Sequence, residues 1–211
     1  MRRTFLVFVL ITAAVSLFAQ NSGAVIKELT GTVELKTSGS ANWTPARAGA
    51  AIQKSTIIST GFRSTAILTI GNSTLTVHPL TRLSLEEIEN QNQTETVNLK
   101  LSAGKVRAEV APPSGGRTNF NVQSPSATAS VRGTSFTMDS NSLQVQTGAV
   151  GYSSTNGSAV TVSSGCESYV DSNGNVVPPL AALEAAFLEK SGRRTLRSGG
   201  GIEINVSLTS E

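Results

Sequence analysis

Residues 66–85 read AILTIGNSTLTVHPLTRLSL. Leu68 and Ile70 occupy alternate positions before Gly71-Asn72, and Leu75 and Val77 resume the alternation after it. A period of two places one face of an extended chain in an apolar layer and the other in water. Two such runs joined by a Gly-Asn pair form a β-hairpin with a two-residue turn. Working outward, the same alternation continues through Leu83 and Leu85 and reaches back to Val33 and Leu35. Downstream it recurs at Val97, Leu99 and Leu101, at Val106, Ala108 and Val110, at Phe120 and Val122, and at Val160 and Val162. Strands recurring about every 8–12 residues with Gly, Asn, Ser and Pro between them mark an all-β domain. The expected architecture is a sandwich or roll of short, mainly antiparallel strands. Even strands and short turns leave a short β-solenoid as the alternative, although no strict sequence period supports it.

A second stretch, Ser124–Met138 (SPSATASVRGTSFTM), carries a proline-marked turn at Pro125 and then Arg132-Gly133-Thr134. Gly133 within a strand pattern is expected to mark a bulge or a close backbone approach. Arg132 offers a planar fork of donors that could bridge strand ends, and Thr134 is expected to fix the same turn. Upstream, Lys54–Gly61 (KSTIISTG) ends on Thr60-Gly61, Asn72–Leu85 gives NSTLTVHPLTRLSL, and Leu99–Val110 gives LKLSAGKVRAEV around Gly104. These segments, in this order, resemble the FecR family of extracytoplasmic β domains over about Gly49 to Val150. The resemblance makes Thr60, Gly61, Gly104, Pro125, Arg132, Gly133 and Thr134 family markers with structural roles. It implies a domain spanning residues 24–175 that acts by protein–protein contact in the bacterial envelope; the family's namesake regulators control a sigma factor across the inner membrane. Only Met1–Thr4 precede the apolar run here, so the resemblance is expected to carry over the extracytoplasmic half alone.

The first nineteen residues have the layout of a secretory signal. Arg2 and Arg3 precede the apolar run Phe5–Phe18, and cleavage is expected after Ala19. The mature chain is therefore expected to be periplasmic or secreted, with no stable membrane span. The full chain has 17 basic and 14 acidic residues, and loss of Arg2 and Arg3 leaves 15 against 14. Near-neutrality without a basic stripe argues against nucleic acid as a partner, because such binding rests on neutralising phosphates. Cys166 is the single cysteine, which excludes an internal disulfide. It is expected to be a small buried hydrophobe, with intermolecular pairing as the alternative.

Catalytic chemistry finds few candidates. His78 is the only histidine and stands beside Pro79 at a strand end. Cys166 has no base-and-orienter pair to activate it. One His and one Cys do not make a structural zinc site. The acidic, amide-rich Glu86–Glu95 (EEIENQNQTE) lacks the ligand spacing of a calcium loop and is expected to be a solvated loop. No catalytic, metal or cofactor residues are expected, and the chain reads as a non-enzyme. A cell-wall or glycan-binding module is the alternative. Its natural platform would be Trp43, which is expected instead to pack at the domain edge.

Pro178-Pro179 ends the β series. Residues 178–192 then read as an amphipathic helix with Leu180, Leu183, Phe187 and Leu188 on one face. Residues 199–211 form a glycine hinge and a strand whose Ile202, Ile204, Val206 and Leu208 share one face, a candidate interaction strand pairing in cis or in trans.

Overall fold

The computed structural model describes residues 23–179. The signal segment 1–19, most of the amphipathic segment 178–192 and the strand predicted within 199–211 lie outside the described residues. The first strands are β1 (Ala24–Thr30), β2 (Val33–Lys36), β3 (Thr44–Pro45), β4 (Ala51–Ile52), β5 (Thr56–Thr60) and β6 (Thr65–Ile70). The middle holds β7 (Ser73–Val77), β8 (Arg82–Gln91), β9 (Thr94–Ala103), β10 (Val106–Glu109), β11 (Arg117–Gln123) and β12 (Ala127–Val131). The last are β13 (Ser135–Met138), β14 (Ser142–Thr147), β15 (Ala149–Ser154), β16 (Ala159–Ser163), β17 (Glu167–Val170) and β18 (Val176–Val177).

These strands form two nine-stranded sheets, ordered β18-β17-β14-β13-β10-β7-β6-β1-β4 and β16-β15-β12-β11-β9-β8-β5-β2-β3. Of the all-β sandwich or roll expected from the alternation, the sandwich is the observed fold. Inward residues of both sheets, such as Leu68, Leu75 and Val77 facing Leu83, Leu99 and Leu101, are buried together in one core. Burying such side chains is worth roughly 1.5–3 kcal/mol each. Phe120, Phe136 and Tyr152 fill the C-terminal half.

Apart from the neighbours β4 and β3 at one edge, the strands of each sheet follow chain order, which gives the sandwich the steady advance of a solenoid. Its ladders are not a solenoid's: β9 and β11 are parallel, and the other pairs are antiparallel. The parallel pair arises because the chain leaves β9, crosses to the facing sheet as β10 and returns, the kind of crossover that parallel pairing requires.

The hairpin at Gly71-Asn72 forms with Ile70 opposite Ser73, and Gly71 takes φ +53, suited to the first central position of a II′ turn. The Glu86–Glu95 segment differs from expectation. It is the distal half of a long β8–β9 hairpin, with Gln91 opposite Thr94. Asn92 and Gln93 both have positive φ, 50° and 62°, which is the geometry of a type I′ turn. Pairing with a neighbouring strand, rather than apolar content, holds this segment extended.

A candidate contact site at the Phe62–Leu80 loop edge

Two large apolar side chains stand out of the described surface: Phe62 is 72% exposed and Leu80 62% exposed. Phe62 lies between β5 and β6, and Leu80 lies between β7 and β8. The two loops touch, since the Leu80 N–H donates to the Gly61 carbonyl at 3.2 Å. Leu80 has φ +56 and Arg63 φ +53, conformations that cost a residue with a Cβ about 1–2 kcal/mol. Strained backbone of this kind persists where surrounding bonds over-determine it.

Those bonds come from threonine and serine side chains. The Thr60 hydroxyl donates to the His78 carbonyl at 2.6 Å and accepts from the Thr81 N–H at 2.9 Å. The Thr81 hydroxyl donates to the Lys105 carbonyl at 3.1 Å and accepts from the Lys105 N–H at 3.0 Å. Ser64 Oγ donates to the Phe62 carbonyl at 3.1 Å and accepts from the Thr32 N–H at 2.8 Å. The Gly61 N–H donates to the Thr32 carbonyl at 2.9 Å. Loops from both sheets are thereby tied into one rigid edge that presents Phe62 and Leu80 to solvent.

The edge is basic. Arg63 lies 5.3 Å from the centroid of the Phe62 ring, and Lys105 Nζ lies 3.8 Å from Asp139 Oδ2. His78 has its pKa lowered by burial first, then by Lys105 and Arg107, which favours the neutral imidazole. Its carbonyl serves the loop network. Among the described residues no group of three or more His, Cys, Asp or Glu is placed to share a metal ion.

The family markers divide between the two ends of the sandwich. Thr60, Gly61 and Gly104 belong to the loop edge. Gly104 has φ +89, and a Cβ there would lie 2.3 Å from Thr81 Oγ1 and 2.5 Å from Thr81 Cα. Pro125 sits in the β11–β12 turn at the same end, where Ser124 Oγ donates to the Ser140 carbonyl at 2.7 Å. Arg132, Gly133 and Thr134 lie at the opposite end, in the bend between β12 and β13.

Here the expectations need correction. Gly133 does not have positive φ, and a Cβ would meet only Pro112 Cδ at an ordinary 3.7 Å. The constrained glycine beside Thr134 is Gly148, with φ +84 and a Cβ position 2.5 Å from Thr134 Cγ2. Arg132 is exposed and forms no ion pair among the described residues, so it bridges no strand ends there. Thr134 is buried, and its carbonyl accepts from the Val110 N–H at 2.8 Å. Cys166 is half-buried rather than sealed in the core, and it packs against the core's margin. Trp43 is half-buried on the margin of the sheet, with Arg82 and Lys36 cations 5.6 and 5.9 Å from its ring centroid. Phe62, Leu80, Ser64 and Thr81 were not singled out by sequence reasoning. The leucine and phenylalanine look like core residues in a string of letters, and only their place on turns could have set them apart.

Two crystal structures of a candidate anti-sigma factor from Parabacteroides distasonis ATCC 8503 resemble this chain, at 19% and 18% identity, each with a TM-score of 0.47. Each comparison covers 57% of this chain and 57% of that chain, so the likeness spans little more than half of either. No curated protein matches the sequence. Residues 56–165 match the family described as FecR protein, a span that contains the loop-edge residues from Thr60 to Lys105 but not Thr32. The chain belongs to the FecR family.

Proposed function

We propose that the protein is a non-catalytic, extracytoplasmic interaction module of the cell envelope, and that it meets a protein partner through the Phe62–Leu80 edge. The observation that carries this reading is the pair of exposed apolar side chains on strained, hydrogen-bonded loops. A rigid apolar pair loses little side-chain and loop entropy on binding, and it supplies the kind of anchor that dominates protein contacts. Membership of the FecR family favours a regulatory contact over chemistry. The charged and apolar segments of Met1–Ala19 support export. Trp43 is a poor sugar platform, since its ring already engages Arg82 and Lys36.

The test is capture from envelope extract by the parent and by a Phe62→Ser/Leu80→Ser double variant. A protein retained by the parent and lost from a variant of equal thermal stability supports the reading. Equal retention by both removes the edge from the function. Co-sedimentation of both proteins with peptidoglycan, without protein capture, would favour the glycan reading instead.

A further inference from the structure

Each sheet of an open sandwich has two edges, and an edge strand offers unpaired N–H and C=O groups to any passing strand. Three of the edges here are blunted. β3 is Thr44–Pro45, β4 is Ala51–Ile52, and β18 is Val176–Val177, followed at once by Pro178-Pro179. The fourth edge, β16, is five residues long. From Asn156 to Gly165 it carries no charged residue and no proline, so the charge and proline guards against strand addition are missing.

The register shows which groups are open. β16 pairs with β15 with Tyr152 opposite Val160 and Val150 opposite Val162. The Ser154 N–H donates to the Ser158 carbonyl at 2.8 Å, one step further along the same ladder. Hydrogen-bonded pairs alternate along an antiparallel ladder, so Tyr152/Val160 and Val150/Val162 are the bonded pairs. The N–H and C=O groups of Ala159 and Thr161 therefore point away from β15, toward the open edge. Val162 is buried and Val160 half-buried on the inner face, so the core continues up to this edge.

We propose that β16 is a strand-acceptor edge, and that its occupant is the chain's own segment Ile202–Leu208. The described chain ends close to it: the Val176 N–H donates to Ser158 Oγ at 3.3 Å, and Asn156 Nδ2 donates to the Asn173 carbonyl at 3.0 Å. Residues 180–201 connect that point to Ile202. With the stretch to 192 taken as the expected helix, residues 193–201 alone reach about 30 Å at about 3.3 Å per extended residue, enough slack to arrive at β16. Ile202, Ile204, Val206 and Leu208 supply an apolar face to lie beside Val160 and Val162. Glu203, Asn205 and Ser207 then face outward with Ala159, Thr161 and Ser163. A tethered strand competes at an effective concentration in the millimolar range, which favours it over a second copy.

Amide hydrogen exchange of the mature full chain and of a truncation after Ser198 tests this. The Ala159 and Thr161 amides are expected to be protected in a monomeric full chain and to lose that protection on truncation. Thr161→Pro removes an outward N–H without breaking a bond to β15, and such prolines are tolerated on edges. It should release the tail, read as faster exchange at Asn205 for an antiparallel tail or at Val206 for a parallel one, while the Val160 and Val162 amides stay protected. Unprotected Ala159 and Thr161 amides in the full chain, or protection unaltered by truncation, would overturn the proposal. Protection that appears only as a dimer forms would also overturn it, by assigning the edge to a second copy.

Discussion

Leu80 sits in left-handed backbone with its side chain in water, and neither condition suits leucine. Leu80→Gly removes the strain, so its melting temperature should match or exceed the parent's while partner capture falls. A coupled loss of stability and capture would make Leu80 a structural residue instead. Gly104 and Gly133 give a second contrast. Gly104→Ala meets both a positive φ and the Thr81 backbone, and should cost about 2–4 kcal/mol in denaturant titration. Gly133→Ala meets neither and should stay within about 0.5 kcal/mol of the parent. Both glycines stand out in the sequence as motif letters, but φ and the distance to a neighbour depend on the assembled sheets. Glu95 was unreadable for the same reason. It is buried and faces Gly71, whose missing Cβ makes room for the carboxyl, and its Oε2 has no hydrogen-bond partner. Burial raises its pKa. The folded state thus prefers the protonated acid, so that preference stabilises fully below the ordinary carboxylate range and is lost as pH rises through the folded pKa. Glu95→Gln should therefore melt higher than the parent above neutrality, with the gap closing in acid. A gap that is independent of pH would contradict this.

At the scale of elements, the hairpin β6–β7 was legible because apolar alternation and Gly71-Asn72 agree. The hairpin β8–β9 was not, because its distal half has few apolar residues and its turn is Asn92-Gln93 rather than Asn-Gly. Pairing of the distal β8 with β9, and of β9 from Thr94 onward with β11, supplies what local propensity lacks. Gln93 pays the cost of a left-handed conformation that glycine adopts freely, so Gln93→Gly should stabilise the protein by about 0.5–1 kcal/mol, seen as a higher melting temperature. The Thr81 hydroxyl joins the His78 N–H in linking the β7–β8 loop to the β9–β10 loop. Thr81→Val leaves the Lys105 N–H and carbonyl without that partner and should cost about 1–3 kcal/mol. Partner capture should weaken with it, since Leu80 is the neighbouring residue.

For the whole molecule, alternation alone pointed to an all-β sandwich or roll, with a short solenoid as the alternative, because a buried face is a property each strand carries in its own letters. The order of strands, the β10 crossover and the joining of four loops into one edge are relations between distant segments, and periodicity is silent on them. The sandwich has two ends with different work: Arg132–Thr134 closes one, and Thr60, Ser64 and Thr81 build the other around Phe62 and Leu80. A photo-crosslinking residue placed at position 62 in the full chain expressed in cells, with position 132 as the exposed control at the opposite end, tests that division most directly. The expected result is a discrete protein adduct from position 62 and none from position 132. Equal labelling at both positions, or no adduct from position 62, would contradict it.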